Sequence, residues 1–174
     1  MARIPYADLA RPEVAPLVQR IVAERGHVLH LYQMLLHSPP LAEGWLDYLT
    51  AVRQKLDLSG ALRELIILRV ALLNGAPYEA AQHVPIALKE GVSQAQLDAL
   101  EHWPGSGLFD ATERAVLALT DAMTRDIHFD ATVMAAVRDA LGERGAVEAA
   151  ATIAAYNMVS RFLEALQIDI RDVR

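Results

Sequence analysis

Residues 63–83, RELIILRVALLNGAPYEAAQH, place two carboxylates, Glu64 and Glu79, and one imidazole, His83, around a turn in an otherwise apolar run. Carboxylic acids and imidazoles exchange protons readily, so the chemistry such residues offer is general acid–base catalysis. Glu79 and His83 are four residues apart, which on one helix puts them on the same face and within reach of each other. Glu64 stands about ten residues before the Asn74-Gly75 stop and His83 about eight after it. At ~1.5 Å of rise per residue, two antiparallel helices joined there would hold them at similar heights. The plain alternative makes Glu64 and Glu79 first-turn carboxylates that complement helix dipoles, with His83 on the surface. The setting favours convergence, because LIILRVALL is apolar on nearly every side, and a carboxylate on such a central helix needs a partner.

The elements that must position these groups are helices. Val14, Leu17, Val18 and Ile21 recur at helical intervals from Pro12 to about Glu24, and Gly26 interrupts them. HVLHLYQMLLH forms a short second helix that stops at Ser38-Pro39-Pro40, since a residue before proline is driven from the α region. A third, from the prolines to near Leu56, lines up Leu41, Trp45, Tyr48, Leu49 and Val52. Ser59 caps the helix that carries Glu64, and Gly75 ends it. Pro77 opens the helix with Glu79 and His83, which runs to Glu90 and Gly91, and Pro85 inside it is expected to bend it. Ser93 caps a short helix to about His102, and WPGSGLFD reads as a loop. Helices follow from Asp110 to about Thr124, Asp130 to about Leu141, and Ala146 to Leu166. No segment alternates with period two over a strand's length, so the fold class is all-α, expected as a single compact domain over 1–174.

Composition narrows the function further. The chain has no cysteine, which removes disulfides, thiolate metal sites, cysteine nucleophiles and dithiol redox chemistry together. A net charge of −6, with acidic and basic residues mixed and no basic block, argues against a nucleic-acid partner. The N-terminus MARIPYADLARPE lacks an apolar signal core, and no run approaches the ~20 apolar residues of a membrane span. A soluble, cytoplasmic protein with no membrane partner is the expectation.

Taken together, RELIILRVALLNGAPYEAAQHVPIALKEGVS resembles the carboxymuconolactone decarboxylase and AhpD-like family. The likeness rests on the Arg-Glu pair opening an apolar helix, the Tyr-Glu after the turn and the histidine nineteen residues beyond Glu64. It extends more loosely to LLHSPPLAEGW upstream and to YNMVSRFLEAL near the end. In the family's peroxidase-like branch a Cys-x-x-Cys pair precedes the histidine; here those two positions hold Ala76 and Glu79. The resemblance thus implies the cysteine-free, decarboxylase-like branch: an AhpD-like helical fold, a homo-oligomer such as a trimer or hexamer, and cofactor-free lyase chemistry on a small carboxylated or lactone intermediate of aromatic-compound degradation. Glu64 and His83 would be the acid–base pair, with Glu64 kept neutral by burial so that it delivers a proton, and Glu79 orienting one of them or completing a relay.

An anionic substrate of that kind calls for cations and hydrogen-bond donors. Arg63, Arg161 and Tyr78 are the candidates for binding it, although Arg63, like Arg69, also suits a structural pairing with a carboxylate, and Arg161 could simply anchor the last helix. His27, His30 and His37 share roughly one helical face and offer a rival metal site or pocket wall, or else a polar stripe. Glu64, Glu79 and His83 would also suit a divalent ion, which keeps a metal-dependent enzyme as an alternative to the assignment of no metal and no cofactor. A noncatalytic member that only associates is the third reading.

Overall fold

The computed structural model describes residues 1–172. Those residues contain eight α-helices and two short 3-10 turns, with no strand among them, as the helical periodicity requires. By its internal contacts the described chain forms two compact units, one of residues 1–55 with 163–172 and one of residues 56–162.

The first unit holds α1 (Ala15–Arg25), α2 (His30–Leu35) and α3 (Pro39–Gln54). All six residues of α2 are buried, and Ile21 of α1 and Leu46 of α3 are completely so. Arg25 extends over the Tyr32 ring and donates to the Thr50 hydroxyl, which donates to the Glu24 carboxylate. The N-terminal segment is tied down by side chains: His37 Nε2 donates to the Pro5 carbonyl at 2.7 Å and Gln33 Nε2 to that of Ala7 at 3.0 Å. His30 Nε2 donates to the Asp172 carbonyl at 3.1 Å and its ring packs against Tyr6, while His27 is exposed. Two of the three histidines at helical spacing therefore make separate tethering contacts and the third is exposed.

The second unit is organised around α4 (Gly60–Asn74), which packs on α5 (Pro77–Lys89) and α7 (Ala111–Arg125). Every residue from 64 to 71 is buried, the all-round burial that its apolar sequence demands. Ser59 caps the helix by accepting from the Leu62 N–H, and Gly75 ends it in the left-handed conformation, which glycine adopts without a Cβ penalty. Leu65 and Leu68 of α4 join Ala87, Val92, Leu100, Trp103, Phe109 and Leu117 in one apolar cluster. Between α5 and α7 lie α6 (Gln94–Ala99) and a 3-10 turn, Leu100–Gly105, so the first three residues of the expected WPGSGLFD loop are helical. Its Trp103 is held from the α7 side, with the indole N–H 3.3 Å from Asp121 and the Arg114 guanidinium over the ring.

The two helices expected near the C-terminus follow one another within the run labelled α8 (Ala131–Leu166), separated by a non-helical break at Gly142, where φ is 72° and ψ 177°. Pro85 lies within α5 and does not end it, since only one backbone donor is lost and the helix is held by packing on α4. No described helix is long and apolar enough to cross a membrane.

Arg69 is the main ionic tie of the second unit. It is 4% exposed, grips Asp121 with Nε and Nη2 at 2.6 and 2.8 Å, and gives Nη1 to the carbonyls of Leu100 and Glu101. Removing one partner of such a pair strands the rest. Arg69→Met is expected to cost about 3 kcal/mol or more in urea unfolding. Asp110→Ala, which deletes the α7 capping box, should cost only about 1 kcal/mol by the same measurement.

Candidate functional site

Glu64 sits on the second turn of α4, where its neighbours Leu65, Ile66 and Ile67 are completely buried, and its own exposure is 0%. An ionised carboxylate in that setting must be compensated nearby. The compensation comes from α5, whose tight connection through Gly75 and Ala76 folds it back along α4, so that His83 Nδ1 lies 2.6 Å from Glu64 Oε2. On the other carboxylate oxygen, Arg63 Nε donates at 3.1 Å. Arg63 in turn reaches Glu90 with Nη2, at 3.5 Å. The result is a connected chain, Glu90–Arg63–Glu64–His83, with Glu64 as its most buried member.

Burial pushes the Glu64 carboxyl up, but the hydrogen bond and charge of His83, followed by those of Arg63, outweigh it and leave its pKa below the ordinary 4.5. Glu64 is therefore a carboxylate at neutral pH, and the expectation of a neutral, proton-delivering Glu64 is overturned. Burial alone favours the neutral acid; two donors on two different oxygens reverse that preference. A carboxylate accepts hydrogen bonds only, so the imidazole carries its proton on Nδ1 and donates it to Glu64.

Glu79 is on the first turn of α5, one helical turn before His83, and only 2% exposed. Tyr78 beside it is likewise buried, at 4%. A group that the sequence pattern did not single out completes the imidazole's surroundings. Tyr156 of α8, itself 2% exposed, stands edge-on to His83 with ring centroids 5.2 Å apart and an interplanar angle of 88°. It lies within the YNMVSR segment, but a contact between residues 73 positions apart carries no local spacing signal.

Of the proposed substrate-binding residues, Arg63 is at the dyad, whereas Arg161 is bonded elsewhere on α8. Arg63 is engaged by Glu64 and Glu90. Arg161 is exposed and donates to the Asn157 side chain at 2.6 Å, one turn earlier on α8. That asparagine belongs to a polar cluster in which Asn74 donates to Asn157 and Ser160, and Asn157 to Thr124. Arg161 thus anchors the helix. Glu64, Glu79 and His83 do not form a metal-holding set: among the described residues no group of three or more histidine, aspartate or glutamate side chains is arranged to hold a metal ion.

Comparison with known proteins agrees with this architecture. Residues 39–122 match the carboxymuconolactone decarboxylase family, a region that contains Glu64, Glu79 and His83. No curated protein matches the chain. Among solved structures, the debrominase Bmp8, as a cysteine-to-alanine variant in complex with 2,3,4-tribromopyrrole, superposes with a TM-score of 0.81 at 20% identity, covering 98% of this chain and 94% of its own. A peroxidase-related protein from Ralstonia eutropha JMP134, described as an alkylhydroperoxidase AhpD core, gives 0.83 at 18% identity, with 98% and 93% covered. A further peroxidase-related protein, from Silicibacter sp. TM1040, gives 0.82 at 18%, with 96% and 89% covered. At such identities the likeness is one of fold.

The lowered Glu64 pKa has a consequence for stability. Because the folded state holds the carboxylate more tightly than the unfolded chain, the stabilisation is full above pH 4.5 and is lost as pH falls through the lower, folded-state pKa. The stability of the wild type relative to Glu64→Gln is expected to be largest near neutral pH and to shrink progressively below pH 4.5 in urea titrations. A difference independent of pH would show that Glu64 is not ionised in the fold. Residues 39–122 thus match the carboxymuconolactone decarboxylase family, and the chain shares an all-helical fold with AhpD-like proteins.

Proposed function

We propose that the protein is a cofactor-free acid–base lyase of the decarboxylase type, acting on a small carboxylated or lactone intermediate of aromatic-compound degradation. The observation that carries this reading is the 2.6 Å contact of His83 Nδ1 with the buried carboxylate of Glu64 in a chain with no cysteine. Thiol peroxidase chemistry has no nucleophile here. An oriented imidazole does, however, offer proton transfer.

In such a reaction the bond to the departing CO2 breaks and its electron pair moves into a conjugated carbonyl of the substrate. A protonated His83 then gives the Nε2 proton to the carbon that lost CO2, while the carbonyl is restored. Glu64 keeps Nδ1–H in place and stabilises the imidazolium before transfer, the role a buried carboxylate plays in orienting a histidine. Glu79, on the same face of α5, adds a second carboxylate that orients His83 or returns a proton to it. Tyr78 contacts the substrate, and homo-oligomerisation supplies the remaining wall and the cation for the substrate carboxylate. Arg161 and Arg63, the guanidinium groups assigned to substrate, remain proposals for that cation, each already engaged within the chain.

The test is a screen of carboxylated lactones and related acids for CO2 release, followed by variants. His83→Ala and Glu64→Gln should each lower turnover by about 10²-fold or more. Their combination should cost little more than the worse single change, because groups acting as one unit are not additive. Glu79→Gln separates a relay member, which would lose turnover comparably, from a helix-dipole carboxylate, which would cost ~0.3–1 kcal/mol of stability and leave the rate intact. Wild-type rates in both His83→Ala and Glu64→Gln would refute the assignment. With an organic hydroperoxide and a thiol reductant, no turnover is expected. Sedimentation at micromolar concentration should show an oligomer.

A further inference from the structure

Arg63 stands behind the Glu64–His83 pair and is held there by a residue that takes no part in the reaction proposed above. Its Nε donates to Glu64 Oε1 at 3.1 Å, while its Nη2 lies 3.5 Å from Glu90 Oε1. The Glu90 carboxylate is seated on Gly60, the first residue of α4, where a Cβ would overlap Glu90 Oε2 and its carboxyl carbon. Gly60 is not among the glycines with positive φ, so the backbone does not call for glycine at this position. Within a helix glycine is also weaker than alanine. What glycine supplies at residue 60 is room for Glu90.

The electrostatic consequence follows from where the charges stand. The titratable and charged groups around His83 are Glu64 and, behind it, Arg63 from α4, Glu79 one turn earlier on α5, and Tyr156 from α8. Arg63 alone among them is a cation. It therefore opposes an imidazolium at His83, both directly and by competing for the Glu64 carboxylate. Glu90 offsets that cation from the far side, and its 39% exposure makes the offset partial.

We propose that Glu90 is a positioning residue for the acid–base pair: seated on Gly60, it holds the Arg63 guanidinium between two carboxylates and thereby raises the proton affinity of His83. The inference rests on the role of a protonated His83 as proton donor, which Glu90 would extend to higher pH.

The test is an NMR titration of the His83 ring, with its signals identified by their loss in His83→Gln. It needs no substrate, so it decides on Glu90 whether or not any acid is found to release CO2. Glu90→Gln keeps the shape of the side chain and removes its charge, and should lower the His83 pKa by about 0.3 or more. Gly60→Ala should lower it too, because the added methyl displaces the Glu90 carboxylate. In the Glu90→Gln background Gly60→Ala should add nothing, since the two changes act through one contact. A His83 pKa unchanged or raised in Glu90→Gln would overturn the proposal, as would Gly60→Ala with the wild-type pKa or with an equal effect in both backgrounds. A His83 that does not titrate while the protein is folded would overturn it as well. Neither variant threatens the fold, because Glu90 is exposed and alanine suits a helix start.

Discussion

A carboxylate placed in the middle of an apolar helix is the constraint around which the second unit is built. Ionised and unpaired, Glu64 would impose a desolvation penalty of several kcal/mol, enough to threaten a domain of ordinary stability. Two features of the chain prevent this. Arg63 is adjacent in sequence and reaches the carboxylate directly, and the short connection through Gly75 returns His83 to the same level from the neighbouring helix. The turn that makes α4 and α5 neighbours is thus also what makes Glu64 tolerable.

The same arrangement explains why His83 is suited to act. Its ring is fixed from two sides, by Glu64 on Nδ1 and by the edge-on ring of Tyr156. An imidazole held in one tautomer and one orientation loses little entropy when it transfers a proton, and a neighbouring negative charge favours its protonated form. Glu64 does this only because it is ionised. Had it been the neutral acid that simple burial suggests, it would have neither fixed the tautomer nor stabilised the imidazolium, and the dyad would be two competing proton donors.

Much of this was legible in the sequence, for identifiable reasons. Helix boundaries at Ser59, Gly75, Pro77 and Asp110 follow from caps and stops, which are local chemistry. The meeting of Glu64 and His83 follows from helix rise and one tight turn. What escaped depends on distant packing or on competing energies. The edge contact of Tyr156 joins α8 to α5 and leaves no periodic trace. Of the three histidines expected to share a face, His37 is tied to the N-terminal segment, His30 to the Asp172 carbonyl, and His27 is exposed. A shared face establishes adjacency but not a common ligand. The charge of Glu64 is a balance between burial, which raises its pKa, and the donors His83 and Arg63 on its two oxygens, which lower it, and only the folded contacts decide the sign.

That balance extends beyond the groups that touch His83. Glu90, at the end of α5, packs against the first residue of α4, and a Cβ at Gly60 would collide with its carboxylate. Glycine at 60 therefore lets Glu90 approach the start of α4, where the helix dipole favours negative charge and where Arg63 receives it. With Glu90 on one side and Glu64 on the other, Arg63 is stretched between two carboxylates and is fixed along the edge of the site. The support for a single proton-transferring imidazole then begins with a residue that has no side chain and ends with a buried ring on α8. This also accounts for the position of Glu64 in the apolar run: it marks a place where the packing of α4 on α5 supplies a partner.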